Sequence, residues 1–160
     1  MAIEKVRAYF KKFGLEDKIL EFEVSSATVE LAAQALGCEG QRIAKTLSFK
    51  LADGSPVLIV AAGDAKVDNP KYKQFFGTKA KMLSAAEVEP MIGHAIGGVC
   101  PFAINPEVKV YLDVSLKRFD KFYPACGSSN SAIEMNAESL EKYAENCQGW
   151  VDLCKGWQEA

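Results

Sequence analysis

Three features of this sequence could take part in making or breaking bonds. In Gly97-Gly98-Val99-Cys100-Pro101, consecutive glycines let backbone N–H groups approach a ligand closely, and Pro101 stiffens the turn that presents them. Such donors stabilise an oxyanion, at about 3–4 kcal/mol per donor in established cases. The same residues also suit a tight structural turn. His94, the sole histidine, lies just before Gly97, within reach of the same site as a proton carrier. Any Ser–His or Cys–His mechanism must run through it. Cys100 is then the natural nucleophile, unless its thiol is simply packed and inert. Lys45, in Arg42-Ile43-Ala44-Lys45-Thr46-Leu47, stands among apolar neighbours where a helical turn runs into a strand. There an ammonium can be held partly desolvated as a fixed charge for a phosphate or a carbonyl oxygen, or it can snorkel to solvent.

Other residues carry weaker signals. Ser128, Ser129 and Asn130 follow Gly127 between two predicted strands and read first as a polar turn. Lys66, Lys71, Lys73, Lys79 and Lys81 make either a contact face for a nucleic-acid backbone or a solvated surface. Cys147 and Cys154 are spaced as on one helical face, which favours packing. The paired ligands of a zinc site are missing, and so are P-loop and G-x-G-x-x-G fingerprints, so neither a metal nor a cofactor is expected.

The elements that must position these residues follow from periodicity. Ile3, Val6, Phe10 and Phe13 recur at helical spacing, with Gly14 as the stop. Residues 18–24 predict a strand. Ser25 and Ser26 offer N-cap oxygens for a helix through Leu31 and Leu36 to Gly37. A helical turn is expected over 39–44, then strands over 46–51 and 57–62 joined at Asp53-Gly54. A helix over 68–76, a short strand over 79–83 and a helix opened by the capping box Ser84-Ala-Ala-Glu87 come next. Residues 93–106 form a long Gly- and Pro-rich loop of the kind that is often functional. Strands are expected over 108–114, 119–126 and 131–135, a helix from Asn136 to about Asn146, and a last helical turn carrying Trp150, Leu153 and Trp157.

The chain has 160 residues, 49% hydrophobic and 25% charged, which suits one domain over 1–160 that folds without metal or disulfide. Interleaved helices and strands with hairpins predict an α/β fold with a mixed sheet. A net charge of −2 argues against a protein that coats nucleic acid through a broad basic face, so DNA is not expected as a partner. It leaves room for a grip on a tRNA end. Five cysteines without a C-x-x-C pair suit a reducing cytosol, and no apolar run is long enough to span a membrane, so a cytoplasmic location is expected.

Taken in order, Ser25-Ser26-Ala27-Thr28-Val29-Glu30, Ile43-Ala44-Lys45-Thr46-Leu47, Gly97-Gly98-Val99-Cys100-Pro101-Phe102, Val110-Tyr111-Leu112-Asp113 and Ala125-Cys126-Gly127 form a pattern. It resembles the YbaK/prolyl-tRNA-synthetase-associated (INS-like) trans-editing domain family, from about Lys5 to Ala144. The resemblance implies a mixed, partly barrel-like β-sheet surrounded by helices around a central pocket. It also implies an aminoacyl-tRNA deacylase that hydrolyses the ester of mischarged tRNA carrying a small amino acid such as Ala, Ser, Thr or Cys. Lys45 matches the family's key lysine and Gly97 to Pro101 its G-x-x-x-P loop. Gly97 and Gly98 are thereby expected as backbone donors, and Thr46, His94, Cys100, Pro101, Ser129 and Asn130 as substrate contacts. The family uses water rather than a covalent nucleophile, and no metal. The implied partners are the acceptor end of mischarged tRNA and a component of the translation machinery. A non-catalytic tRNA- or partner-binding module on the same fold is the alternative. Two positions depart from the pattern: Ala103 stands where many relatives carry glycine, and Ser128-Ser129-Asn130 replaces a Gly-Arg-rich segment of some branches.

Overall fold

The computed structural model describes residues 2–23 and 28–157. In chain order the elements are α1 (Ala2–Lys11), β1 (Ile19–Glu21), α2 (Val29–Leu36), β2 (Ile43–Lys50), β3 (Pro56–Ala62), β4 (Lys66–Val67) and α3 (Asn69–Phe76). They continue with α4 (Ala85–Ile92), β5 (Lys109–Asp113), β6 (Tyr123–Pro124), β7 (Ser131–Ile133), α5 (Ala137–Tyr143), β8 (Cys147–Val151) and β9 (Cys154–Lys155).

β3 is apolar from end to end and every one of its residues is buried, as a strand covered on both faces must be. It lies at the centre of a curled half-barrel sheet ordered β6-β2-β3-β5-β8, which is the mixed α/β architecture expected. β2 and β3 form the antiparallel hairpin, in register from Ala44↔Ala62 to Lys50↔Pro56. β6 on β2, β5 on β3 and β8 on β5 are parallel. Leu58, Val60, Val110 and Leu112 send side chains into the main core with Phe10, Ile92 and Phe102. Val57, Ile59, Phe49 and Tyr72 form a second core with Leu153. A smaller cluster packs Ala32 and Ala33 of α2 on Ile43.

Local signals are obeyed at the helix ends. Gly37, Gly77 and Gly93 close α2, α3 and α4 in the left-handed region. Ser84 and Glu87 make the predicted capping box, and Asn136 makes a second one with Ser139.

Several boundaries differ, and among the strands the cause is pairing with partners distant in sequence. The strand expected over 18–24 is β1, limited to three residues by its pairing with β7. Ser25 and Ser26 lie outside the described residues, and α2 is capped by Thr28, whose Oγ1 accepts from Leu31 N at 3.1 Å. The turn expected over 39–44 shrinks to a 3-10 turn at Gly40–Arg42, because Ile43 and Ala44 pair with Tyr123 and Pro124. In place of the strand over 79–83 there is a single bridge, Phe49↔Met82. Most of 119–126 is irregular around the two-residue β6, and α5 stops at Tyr143. The final helical turn is instead β8 and β9, paired with β5 and β4, so Cys147 and Cys154 share no helical face.

One contact fixes how β2, α2 and the end of β3 meet. A Cβ on Gly63 would stand 2.1 Å from Gly40 O and 2.9 Å from Val29 Cγ1, so only glycine allows this approach. Gly63→Ala is therefore expected to destabilise the protein by about 2 kcal/mol or more. Urea denaturation of the two proteins, with unchanged m-value, checks it.

Candidate active site

β2 is paired with β3 along its length but only in part on its other edge. β6 reaches Ile43 and Ala44 and no further. At the far end Ser48 O accepts from Leu83 N at 3.2 Å and Lys50 N donates to Lys81 O at 2.8 Å. Main-chain groups alternate along a strand, so those of Thr46, like those of Ser48 and Lys50, point away from β3. Among the described residues no strand stands opposite Thr46. The Thr46 hydroxyl is also shut from solvent with no hydrogen-bond partner among the described residues.

A cavity of about 420 Å³ fills this gap. Lys45 and Thr46 of β2, Val29 of α2, Gly97 of the long loop, Tyr123 of β6 and Ser131 of β7 line it. Lys45 approaches from the face on which α2 packs over Ile43, and Val99 of the loop from the face of the main core. The two meet around the free edge.

Lys45 is the third residue of β2, held half-buried, with Nζ donating to Gly63 O at 3.3 Å. Among the described residues it forms no ion pair within 4.0 Å; Asp64 acts only at longer range and is bound at both oxygens by Arg118. Burial pushes the Lys45 ammonium below the ordinary lysine pKa, against a smaller upward pull from nearby acidic groups. The site thus holds a partly desolvated cation with donor capacity left over for a ligand.

The loop over 93–106 is pinned at many points. Lys5 Nζ donates to Gly93 O at 2.7 Å, and Asn105 Nδ2 donates to Pro90 O and Met91 O. Glu145 N donates to Pro101 O, and Glu145 Oε1 accepts from Ile104 N. Ala103 sits at φ 54°, in the left-handed region, which accounts for the glycine expected there. Gly97 is at φ 91° and its N–H makes no hydrogen bond among the described residues. Gly98 serves differently. Its N–H donates to Ala95 O, and a Cβ there would lie 2.7 Å from Gly127 C, so it lets the loop rest directly on residues 127–128.

The structure therefore brings Lys45, Thr46 and Gly97 to one cavity and keeps the other predicted residues off its lining. His94 is fully buried beneath the loop, with Nε2 2.6 Å from Phe102 O and 3.5 Å from Cys100 Sγ. Burial lowers its pKa, so the neutral ring donating to Phe102 O is favoured. Cys100 is also fully buried, and desolvation pushes its thiol up to about 12, the opposite of an activated nucleophile. Pro101 is buried behind the cavity. Asn130 joins β1 to β7, with Nδ2 donating to Phe22 O at 2.8 Å, and Ser129 is exposed. Ser131, Tyr123 and Ile96, which line the cavity, carry no local signal in the sequence. Ser131 and Tyr123 arrive through β7 and the β2–β6 pairing.

Residues 23–143 match the family model described as the aminoacyl-tRNA editing domain. The chain is 54% identical over 140 residues to the uncharacterized protein YwhH of Bacillus subtilis, covering 88% of this chain and 89% of that one. It is 27% identical over 114 residues to EbsC of Enterococcus faecalis, named a putative Cys-tRNA(Pro)/Cys-tRNA(Cys) deacylase, covering 71% and 70%. A crystal structure described as a putative trans-editing enzyme for prolyl tRNA synthetase superposes with a TM-score of 0.85 at 28% identity, covering 97% and 98%.

The buried thiols make two checks available. At pH 8 iodoacetamide should label the partly exposed Cys38 and Cys147 well before Cys100, Cys126 and Cys154, read by peptide mass mapping of the native protein. A thiol whose pKa is raised by folding stabilises the native state in full below its ordinary value of 9.0. That contribution is lost as pH rises toward about 12, so the urea midpoint should fall above pH 9.

Proposed function

Because the chain belongs to the aminoacyl-tRNA editing domain family, we propose that it is a trans-acting deacylase, with residues 1–160 working as one editing domain. Its substrate is mischarged tRNA, and the bond cleaved is the ester between a small amino acid and the terminal ribose. The observation that carries the reading is the convergence on one cavity, at the free edge of β2, of Lys45 and Gly97, whose ammonium and N–H have no ion-pair and no hydrogen-bond partner, respectively, among the described residues.

An aminoacyl ester is already activated, so little machinery is required. Lys45 holds the substrate by a carbonyl or phosphate oxygen, and the Gly97 N–H faces the oxygen that becomes negative when water attacks the ester carbon. The bond to the ribose oxygen then breaks, the ribose oxygen takes a proton, and the amino acid leaves as a carboxylate. Thr46 supplies unpaired main-chain groups and a hydroxyl to orient the acyl part. Gly98, His94 and Cys100 act beneath the site, seating the loop. Size exclusion by the cavity wall is worth about 1–3 kcal/mol per methylene, which suits rejection of larger amino acids. A substrate of charged tRNA and a translation partner such as prolyl-tRNA synthetase support a cytoplasmic site of action.

A panel of tRNAs mischarged with Ala, Ser, Thr or Cys tests the proposal. At least one ester should be cleaved well above its rate in buffer, and Lys45→Ala should lower kcat/KM by 100-fold or more, about 2.7 kcal/mol of transition-state stabilisation. Burial lowers the lysine pKa, so the enzymatic rate, corrected for spontaneous hydrolysis, should fall with rising pH earlier than an ordinary lysine would dictate. Full activity in Lys45→Ala would exclude the mechanism. Tight binding that protects every ester would point instead to a non-catalytic tRNA-binding module.

A further inference from the structure

We propose that a second cleft beside the cavity, walled by Lys79 and Lys81, binds backbone phosphates of the single-stranded 3′ end of the substrate's acceptor arm. The inference rests on the deacylase reading and adds the direction in which the nucleic acid leaves the site.

The cleft has a volume of about 330 Å³ and is lined in part by Lys50, Gly54, Thr78, Lys79 and Lys81. It lies along the same edge of β2 as the cavity, on the other side of the Phe49↔Met82 bridge. From Thr46 to Lys50 the strand advances about 13 Å, so a chain emerging from the cavity meets the cleft within its next few nucleotides.

The lysines near it are not equivalent. Lys50, which also lines the cleft, pairs with Glu87. Lys79 and Lys81 form no ion pair among the described residues. Asp53, the acidic residue at the hairpin tip, turns its carboxylate to Ser55 and does not line the cleft. Two free ammonium groups in a concave wall, on a chain whose net charge is −2, make a local cationic track, where phosphate contacts are favoured. The rim of the cavity carries exposed apolar side chains, Met82 at the bridge among them. Met82 is 56% exposed, and Ile96, which also lines the cavity, is 63% exposed. This pair offers a base face something to cover while the phosphates run on to the lysines.

The test compares two substrates carrying the acyl group cleaved fastest in the panel above: the full mischarged tRNA and the same amino acid esterified to adenosine alone. Lys79→Ala/Lys81→Ala should raise KM for the tRNA about tenfold at low salt. The dependence of log kcat/KM on log salt should become shallower by about 1.4, while kcat and the hydrolysis of aminoacyl-adenosine stay unchanged. Lys12→Ala/Lys142→Ala, which removes the same charge from the turn after α1 and from α5, should leave the tRNA kinetics as they are. Unchanged tRNA kinetics in the cleft variant, an equal loss on both substrates, or an equal effect of the control pair would overturn the inference alone. If wild-type protein cleaves neither substrate, the deacylase reading falls and this inference with it.

Discussion

The register of β2 on β3 governs the rest of the molecule. Because side chains alternate with a period of two, pairing Lys45 with Ala61 puts Ile43, Lys45, Leu47 and Phe49 on one face and Ala44, Thr46 and Ser48 on the other. A slip of one residue would turn Lys45 into the main core and Ala44 toward α2. The slip is resisted where the ladder ends at Ala62. Gly63, just beyond the ladder, touches Gly40 and Val29 at a separation that only glycine permits, and its carbonyl receives the Lys45 ammonium. The contact that holds α2 against the sheet thus also aims the lysine.

The loop at 93–106 solves a different problem. Fourteen residues without regular structure would sample many conformations, and ordering each costs about 1–2 kcal/mol in backbone entropy. That cost is offset by fastening the loop to α1 through Lys5, to α4 through Asn105, and to the segment after α5 through Glu145. Phe102 packs its ring 4.8 Å from that of Phe10. His94 closes the middle by holding the Phe102 carbonyl across the glycines. Such a scaffold leaves Ile96 and Gly97 facing the cavity with little freedom to rearrange, which is the preorganisation that a backbone donor needs.

Local pattern marked Lys45 by its apolar flanks and Gly97 by its paired glycine but left each open between chemistry and structure; the family resemblance joined them with Thr46, and all three line one cavity. Helix ends were legible in local signals, through Gly37, Gly77 and the capping box at Ser84. What failed was what depends on distant pairing. Residues 147–155 have the spacing of a helical face, yet become β8 and β9 because β5 and β4 present open edges to them. Tyr123 and Ser131 enter the cavity wall through short strands paired across more than 70 residues of chain, a relation no periodicity reveals. Proximity in sequence also misled. His94 and Cys100 flank the glycines but point inward, since the loop needs an apolar, hydrogen-bonded underside as much as an exposed rim.

Among the described residues four buried side-chain atoms break the rule that hydrogen-bonding groups find partners, and the two nearest the loop and β2, on His94 and Thr46, break it with different meaning. His94 Nδ1 is enclosed on all sides beneath the loop, and its loss is the penalty for placing the opposite nitrogen on Phe102 O. Thr46 Oγ1 instead belongs to a residue of the cavity wall, beside main-chain groups that no strand takes up and a cation that no carboxylate neutralises among the described residues. Pairing β6 two residues further along β2 would satisfy that edge and add ladder hydrogen bonds. It would also close the cavity. The chain ends the pairing at Ala44, and the unsatisfied groups that result are those a polar ligand with a carbonyl and a hydroxyl-rich sugar could complete, which is why the gap in the sheet, rather than any single side chain, defines the site.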